Sequence, residues 1–370
     1  MNFSKKYPYA DRSRQTIENW FYGYIGAENQ FQPNRYKLIN VYDYAFLDLH
    51  LSAIWQNRKN KILGNHFDLL NPLGEVDEEA KKLFEGIWYN QFVDYALDSV
   101  AFGYSLIEFG EFVDGVGLSE VNLIDRRLVN VDRKEFLSSP YNNFGTPFTE
   151  GILNDYCLWV DTKTLGFMLK ASPVAIYKRF GFGGFTEHVE KHNLPLLTVK
   201  SGLKKDDPRY AEIENAILNA GRNRTLILGE DEEANALDMK GDGDIYVKHI
   251  DTCNSEMSKL VQGQVGTSEI GSNYREASSH ENVSNEYAQN DLSFVTAIVN
   301  TLLIPKLAKL GAPIQGYKIR YNSDKKEPLQ DRIRLFSLLL DKYDIDTETI
   351  YKEFGVTVLP KPSPTIDANA

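Results

Sequence analysis

The chain is poor in cysteine and has no long apolar run. Its two cysteines, Cys157 and Cys253, stand far apart. They are too few for a disulfide framework or a cysteine-rich zinc site, so a reducing compartment is expected. No window approaches the ~18 uninterrupted apolar residues of a membrane span, and none is expected. The opening residues MNFSKKYPYADRSRQ are polar and lack the apolar core of a secretion signal. The chain reads as soluble and made in a cytoplasm. Positive charge is also short: 41 Lys and Arg against 52 Asp and Glu leave a net charge of -11. Tight nucleic-acid binding needs clustered cations to neutralise phosphate and is not expected here, though a surface that nucleic acid slides past is compatible. Catalytic signatures are missing as well. No G-x-S-x-G nucleophile elbow occurs, and no cofactor is expected.

Three short stretches invite a chemical reading. HVEKH (His188–His192) puts two histidines one helical turn apart, the spacing of zinc sites. Yet Val189 stands where the general-base glutamate would be, and no third ligand is near. A solvated helix face is the plainer reading; a metal-dependent hydrolase using His188 and His192 is the alternative. GFGGF (Gly181–Phe185) is not a phosphate-cradling G-x-G-x-x-G and sits in a helix-period segment, so its glycines are expected to let helices approach closely. EDEEA (Glu230–Ala234) lacks alternating ligand spacing and reads as an exposed turn rather than a cation site.

What the chain does have is bulk and periodicity. Its 370 residues, 42% hydrophobic with 21 Tyr and 20 Phe, suffice for a sizeable core in two or three domains. Residues 1–40 read as an arm whose aromatic cluster WFYGYIG docks either on a neighbouring subunit or on its own domain. Helices are expected over 41–63 and 77–101, with Asp77 as N-cap, and a short strand at HFDLLNP. GYSLIEFGEF, SEVNLIDRRLVNVD and GILNDYCLWV read as strands, with a hairpin turn at DGVG. The fold class is therefore α+β. Next comes a rod of helix with Val174, Tyr177, Phe180, Phe185 and Val189 as its stripe and Pro173 in its first turn. A compact insert follows: strand LPLLTVK, helix DDPRYAEIENAILNAG, strand RTLILG. A second rod has Ile250, Met257, Leu260 and Val261 as its stripe. After a polar stretch the last rod runs to Gly311, kinked near Leu302 because Pro305 removes a backbone donor. The end reads as strand YKIRYN, helices LQDRIRLFSLLLDKY and TETIYKEFG, and a Pro-rich tail.

The order of these parts resembles the Mu-like portal proteins of tailed bacteriophages. Four stretches carry the likeness: DLHLSAIWQNRKNKILGNHFDL with its Asp…Arg pattern, AFGYSLIEF, YKRFGFGGFTEHVEKHNLPLLTVK, and HIDTCNSEMSKLVQGQVGTSEIGSNYREASSHENVSNEYAQND. In the last, Lys259, Gly263, Gln264, Thr267, His280 and Val283 occupy the family's places. Departures are Val265, where the family has GQT, and Asn193, where it has Gly.

The resemblance implies a portal fold. It comprises an N-terminal arm (1–40), an α+β wing (41–170), stem helices (171–193 and 244–265) around a clip (194–243), and a tunnel loop (266–280). A kinked wing helix (281–312), a strand and crown helices (313–355) and a disordered tail (356–370) complete it. It further implies a ring of about twelve copies at one capsid vertex. Double-stranded DNA passes through the ring non-specifically during packaging and ejection. Terminase large subunit, major capsid protein and head–tail adaptor dock on it, in the host cytoplasm during assembly and then in the virion. Thr267, Ser268, Ser272, Asn273, Arg275 and Ser278 are the implied tunnel-loop contacts to phosphate. Lys248, Lys259 and Gln264 are the implied channel-facing stem residues. No catalytic activity and no metal are implied. A ring-forming adaptor that never meets DNA is a further alternative.

Overall fold

A computed structural model describes residues 16–193, 196–200, 207–219, 233–237, 243–263, 274–321 and 329–340. The chain divides into a unit of residues 1–321 and a second of residues 322–370.

The first unit opens on two helices, α1 (Ile17–Ala27) and α2 (Tyr36–Ala45). Thr16 Oγ1 accepts from the Asn19 N–H and caps α1. Gly23 allows the two helices to touch, since a Cβ there would lie 3.0 Å from the Leu38 backbone. Leu38, Ile39 and Tyr42 of α2 are buried in the core. Helix α2 and Trp20 thus pack on their own domain, while Phe21, Tyr22, Tyr24 and Ile25 of the aromatic cluster are exposed.

The helix expected over 41–63 is two helices. Asp48 is extended (ψ 124°) and its carboxylate accepts from the Leu51 N–H, which restarts the chain as α3 (Leu49–Leu63). Strand β1 (Phe67–Leu70) follows. The second expected helix is also interrupted. Asp77 caps α4 (Glu78–Lys81), a 3-10 turn covers Lys82–Phe84, and Gly86 is extended before α5 (Ile87–Phe102).

The central sheet has β2 (Tyr104–Phe109) between β5 (Val121–Leu123) and β9 (Cys157–Asp161), all antiparallel, with Ile107 opposite both Leu123 and Leu158. The hairpin read at DGVG joins β3 (Phe112–Val113) to β4 (Gly117–Leu118). A small sheet is made of β6 (Val129–Asn130), β7 (Glu135–Phe136) and β8 (Thr146–Pro147). The strand expected from Gly151 is a short helix, α6 (Gly151–Tyr156), up to the point where β9 begins. Asn154 and Asp155 favour turn-like backbone over strand, which explains the difference.

Long helix α7 (Met168–Asn193) leads into the insert: β10 (Leu196–Lys200), α8 (Pro208–Asn219) and β11 (Glu233–Leu237). β10 and β11 pair antiparallel from Leu196↔Leu237 to Lys200↔Glu233. Glu233 and Ala234 therefore belong to a strand, not to an acidic turn; the expected strand RTLILG lies outside the described residues. Helices α9 (Asp244–Gln262) and α10 (Tyr274–Ile298) follow, then a π-helical turn (Val299–Leu303), α11 (Ile304–Lys309) and β12 (Lys318–Tyr321). β12 pairs with β1, Phe67 opposite Tyr321, so the end of the unit closes on the strand that follows α3. In the second unit the described element is α12 (Leu329–Leu340), on which Ile333, Leu335 and Leu338 are exposed.

The stretch Asn285–Lys309 is long and apolar enough to cross a membrane by length and composition. Its Leu292, Val295, Val299, Leu303 and Leu307 are instead buried in the protein core with Trp55, Phe92 and Leu106.

Candidate channel stem and its root

Helices α7 and α9 form an antiparallel pair. His249 donates to the Tyr177 carbonyl (3.1 Å) at one end of their contact. Towards the C-terminus of α7 and the N-terminus of α9, Tyr246 packs against Phe185 and His188, with ring centroids 6.2 and 5.6 Å away. The contact surface differs from the expected stripe. Tyr177, Phe180 and Val189 are exposed; of the expected stripe Phe185 meets α9, and beside it and His188 the residues against α9 include Gly181 and Gly184. A Cβ at Gly181 would lie 2.5 Å from His249 Cδ2, and one at Gly184 2.8 Å from Tyr246 Cε1. Two aromatic-sized side chains on α9 thus fill the space that two missing side chains leave on α7. Successive helical residues point about 100° apart. Phe180 and Phe182 therefore flank the glycine face on opposite sides, and Ile245 and Val247 flank Tyr246 in the same way. All four are exposed.

Pro173 lies inside α7, not in its first turn, because the helix begins at Met168. The missing N–H frees the Leu169 carbonyl, which accepts the Trp20 indole N–H at 3.0 Å. Helix α1 is therefore fastened to the stem helix at the one carbonyl the proline leaves open.

The root of the stem is organised by α3, through polar contacts that run along its length. At its start, Lys178 of α7 donates to both Asp48 oxygens (2.7 and 2.9 Å), with the two side chains 6% and 12% exposed. Two residues on, His50 Nε2 meets Ser258 Oγ of α9 at 2.8 Å. Burial and the neighbouring Lys178 lower the His50 pKa below its ordinary value. Gln262 donates to the Ile54 carbonyl (3.2 Å). Finally Arg58 forks onto Asp291 of α10 (2.6 and 2.8 Å) and donates to the Val261 carbonyl of α9 (2.6 Å). One helix thereby holds both stem helices and the last rod. Cys253 is buried beside His249 (3.8 Å), and burial raises its thiol pKa.

The expected kink is a π-helical turn. Five residues, Val299–Leu303, adopt it just before Pro305. Asn300 pins this turn to β12, accepting from the Ile319 N–H (2.7 Å) and donating to its carbonyl (3.0 Å). The inserted residue turns Leu302 outwards while Leu303 stays buried.

The structure treats the individual site residues unequally. Lys248 and Lys259 are exposed, eleven residues apart and hence about three turns along α9, on its side away from α7. Lys259 pairs with Glu256 (2.7 Å). Gln264, Thr267, Ser268, Ser272 and Asn273 lie outside the described residues. Arg275 and Ser278 lie within α10, which begins at Tyr274, so the expected loop end at 280 is corrected. Arg, Glu and Ala in YREASSHE favour helix although the segment is too polar to show an apolar stripe. His188 packs on Tyr246, and no group of three potential metal ligands occurs among the described residues; the His192 side chain lies outside them. Sequence reading missed Lys178, Asp291 and the fork of Arg58. The Asp48…Arg58 spacing in DLHLSAIWQNR was the only local sign of the last.

Residues 39–356 match the family described as portal protein of Mu bacteriophage. The chain belongs to that family. Nothing among curated proteins matches it. Among solved structures, this portal-family chain is similar to one in the virion of a native gene transfer agent particle. That match has 11% identity, covers 91% of this chain and 99% of the other, and has a TM-score of 0.52. It is similar also to a chain in the neck of an empty gene transfer agent particle computed with C6 symmetry (12% identity, 91% and 99% covered, TM-score 0.52). A looser match is an HK97-family phage portal protein from Corynebacterium diphtheriae (10% identity, 82% and 97% covered, TM-score 0.45). The mixed helix-and-sheet architecture is a portal fold.

Proposed function

We propose that copies of this chain close into a ring, twelve in number, at one vertex of a phage capsid. The ring is the conduit through which double-stranded DNA is packaged and ejected. In this reading residues 41–170 are the wing, α7 and α9 the stem, and residues 194–243 the clip. The observation that carries it is the α7/α9 hairpin with exposed apolar side chains on both flanks, Phe180 and Ile245 on one and Phe182 and Val247 on the other. A two-faced subunit of this kind suits heterologous side-by-side packing, which closes into a ring when the rotation permits. The face of α9 turned away from α7, bearing Lys248, Asp251, Ser255 and Lys259, then borders the channel with mixed charge. Mixed charge and a net -11 per chain touch a duplex without gripping it. Arg275 adds one cation per copy near the loop. The role is structural rather than catalytic, and terminase, capsid protein and a head–tail adaptor are the expected partners.

Electron microscopy of the purified chain tests the reading. Hollow, rotationally symmetric discs are expected, and Val247→Asp is expected to yield folded single chains instead. Arg275→Gln combined with shortening of 268–273 should leave rings intact and lower the DNA retained in particles. Discs that survive Val247→Asp unchanged would place the ring contact elsewhere, and unaltered DNA retention would remove the loop from the channel.

A further inference from the structure

The connection between α9 and α10 starts and ends at helices that α3 holds, and one side chain reaches both. Arg58 is 11% exposed and Asp291 6%. The guanidinium presents two parallel N–H groups to the carboxylate, the geometry that suits arginine and not lysine. Its remaining arm donates to the Val261 carbonyl in the last turn of α9, one of the carbonyls a helix end leaves without an internal partner. A cation there also suits the negative end of the helix dipole. The plane of Arg58 lies over the Tyr287 ring of α10, 4.8 Å from its centroid, so α10 grips it from two sides. Gly263 then turns the chain out of α9 in the left-handed region (φ 75°).

We propose that Arg58 is the positioning residue that sets the spacing between the C-terminal turn of α9 and α10. Through that spacing it fixes where the last turn of α9 stands against the stretch of α10 around Tyr287 and Asp291. The consequence for DNA rests on the channel reading above; the positioning itself does not. Lysine at 58 would keep the charge and lose the fork: one ammonium cannot serve Asp291 bidentately and Val261 together.

The test compares Arg58→Lys with Leu106→Ala, a core substitution in β2 that makes none of the clamp's contacts and lowers overall stability, both in the full-length chain. Amide hydrogen exchange is followed at residues 261–263 and in β2. Arg58→Lys should speed exchange at 261–263 by about tenfold or more relative to β2, whereas Leu106→Ala should raise the two regions together. A rise at 261–263 no greater than in β2 overturns the proposal, because Arg58 would then be ordinary core support. If Arg58→Lys does not fold, Asp291→Asn removes the charge partner with almost no change of shape and is read in the same way. DNA retention in assembled particles separates the two readings. Faster exchange at 261–263 with fewer particles retaining DNA supports both. Faster exchange with normal retention supports the clamp and overturns the channel role of this connection.

Discussion

Placing a methyl group on the glycines of α7 tests the stem directly, because Gly181 and Gly184 face α9 and Gly183 does not. Replacing a helical glycine by alanine favours the helix by about 1 kcal/mol. At Gly183 nothing lies within 4 Å of the added carbon, so Gly183→Ala should realise most of that gain, ~0.5–1 kcal/mol. At Gly181 the same methyl would meet His249 Cδ2 at 2.5 Å. Swinging the imidazole aside would break its hydrogen bond to the Tyr177 carbonyl and its contact with Cys253. Overpacking of this kind costs ~1–3 kcal/mol, which cancels or outweighs the helical gain. Gly184→Ala, 2.8 Å from Tyr246 Cε1, should fall in the same class. The expected gap between Gly183→Ala and Gly181→Ala is thus about 1–3 kcal/mol, or several degrees in melting temperature. Urea unfolding of the three variants, with hydrogen exchange at residues 246–253 of α9 to localise the effect, reads it. Equal stability of Gly181→Ala and Gly183→Ala would mean that the two stem helices do not touch at that point, and the hairpin on which the ring argument stands would fail.

Two further expectations concern the root of the stem. Lys178→Met should cost roughly 3–5 kcal/mol, because it leaves the buried Asp48 carboxylate without its partner, and Asp48→Asn in the same chain should recover part of the loss; a neutral Lys178→Met in urea unfolding would refute the pair's role. The pKa of His50 is lowered in the fold from its ordinary 6.5, so the unfolded chain takes up this proton first as pH falls. Its contribution is therefore present above about pH 6.5 and lost progressively below it, and His50→Gln should flatten the fall in urea midpoint that begins there. An unchanged pH profile in His50→Gln would show that another group titrates.

Much of the architecture was legible because it rests on periodicity and local chemistry. The long rods, the compact insert between them, the DGVG hairpin and the Asp77 cap follow from residue spacing and turn residues within a few positions of one another. The irregularity near Leu302 was legible for the same reason: Pro305 lacks a backbone donor wherever it is placed. The start of α10 was not, because YREASSHE carries helix-forming residues without an apolar stripe, and a polar helix and a polar loop look alike in one sequence. The break at Asp48 was hidden too, since a capping aspartate inside an apolar helical pattern is overridden only when its carboxylate finds the Leu51 N–H.

By itself, then, the sequence determined the order of the elements and the family, since both reside in residue types arranged along the chain. The tertiary structure decided which residues meet. Arg58 and Asp291 lie 233 positions apart, Asp48 and Lys178 130 apart, and Trp20 finds the Leu169 carbonyl across 149 residues. No local pattern marks such pairs; they are selected when buried charges and open carbonyls must find partners as the core closes.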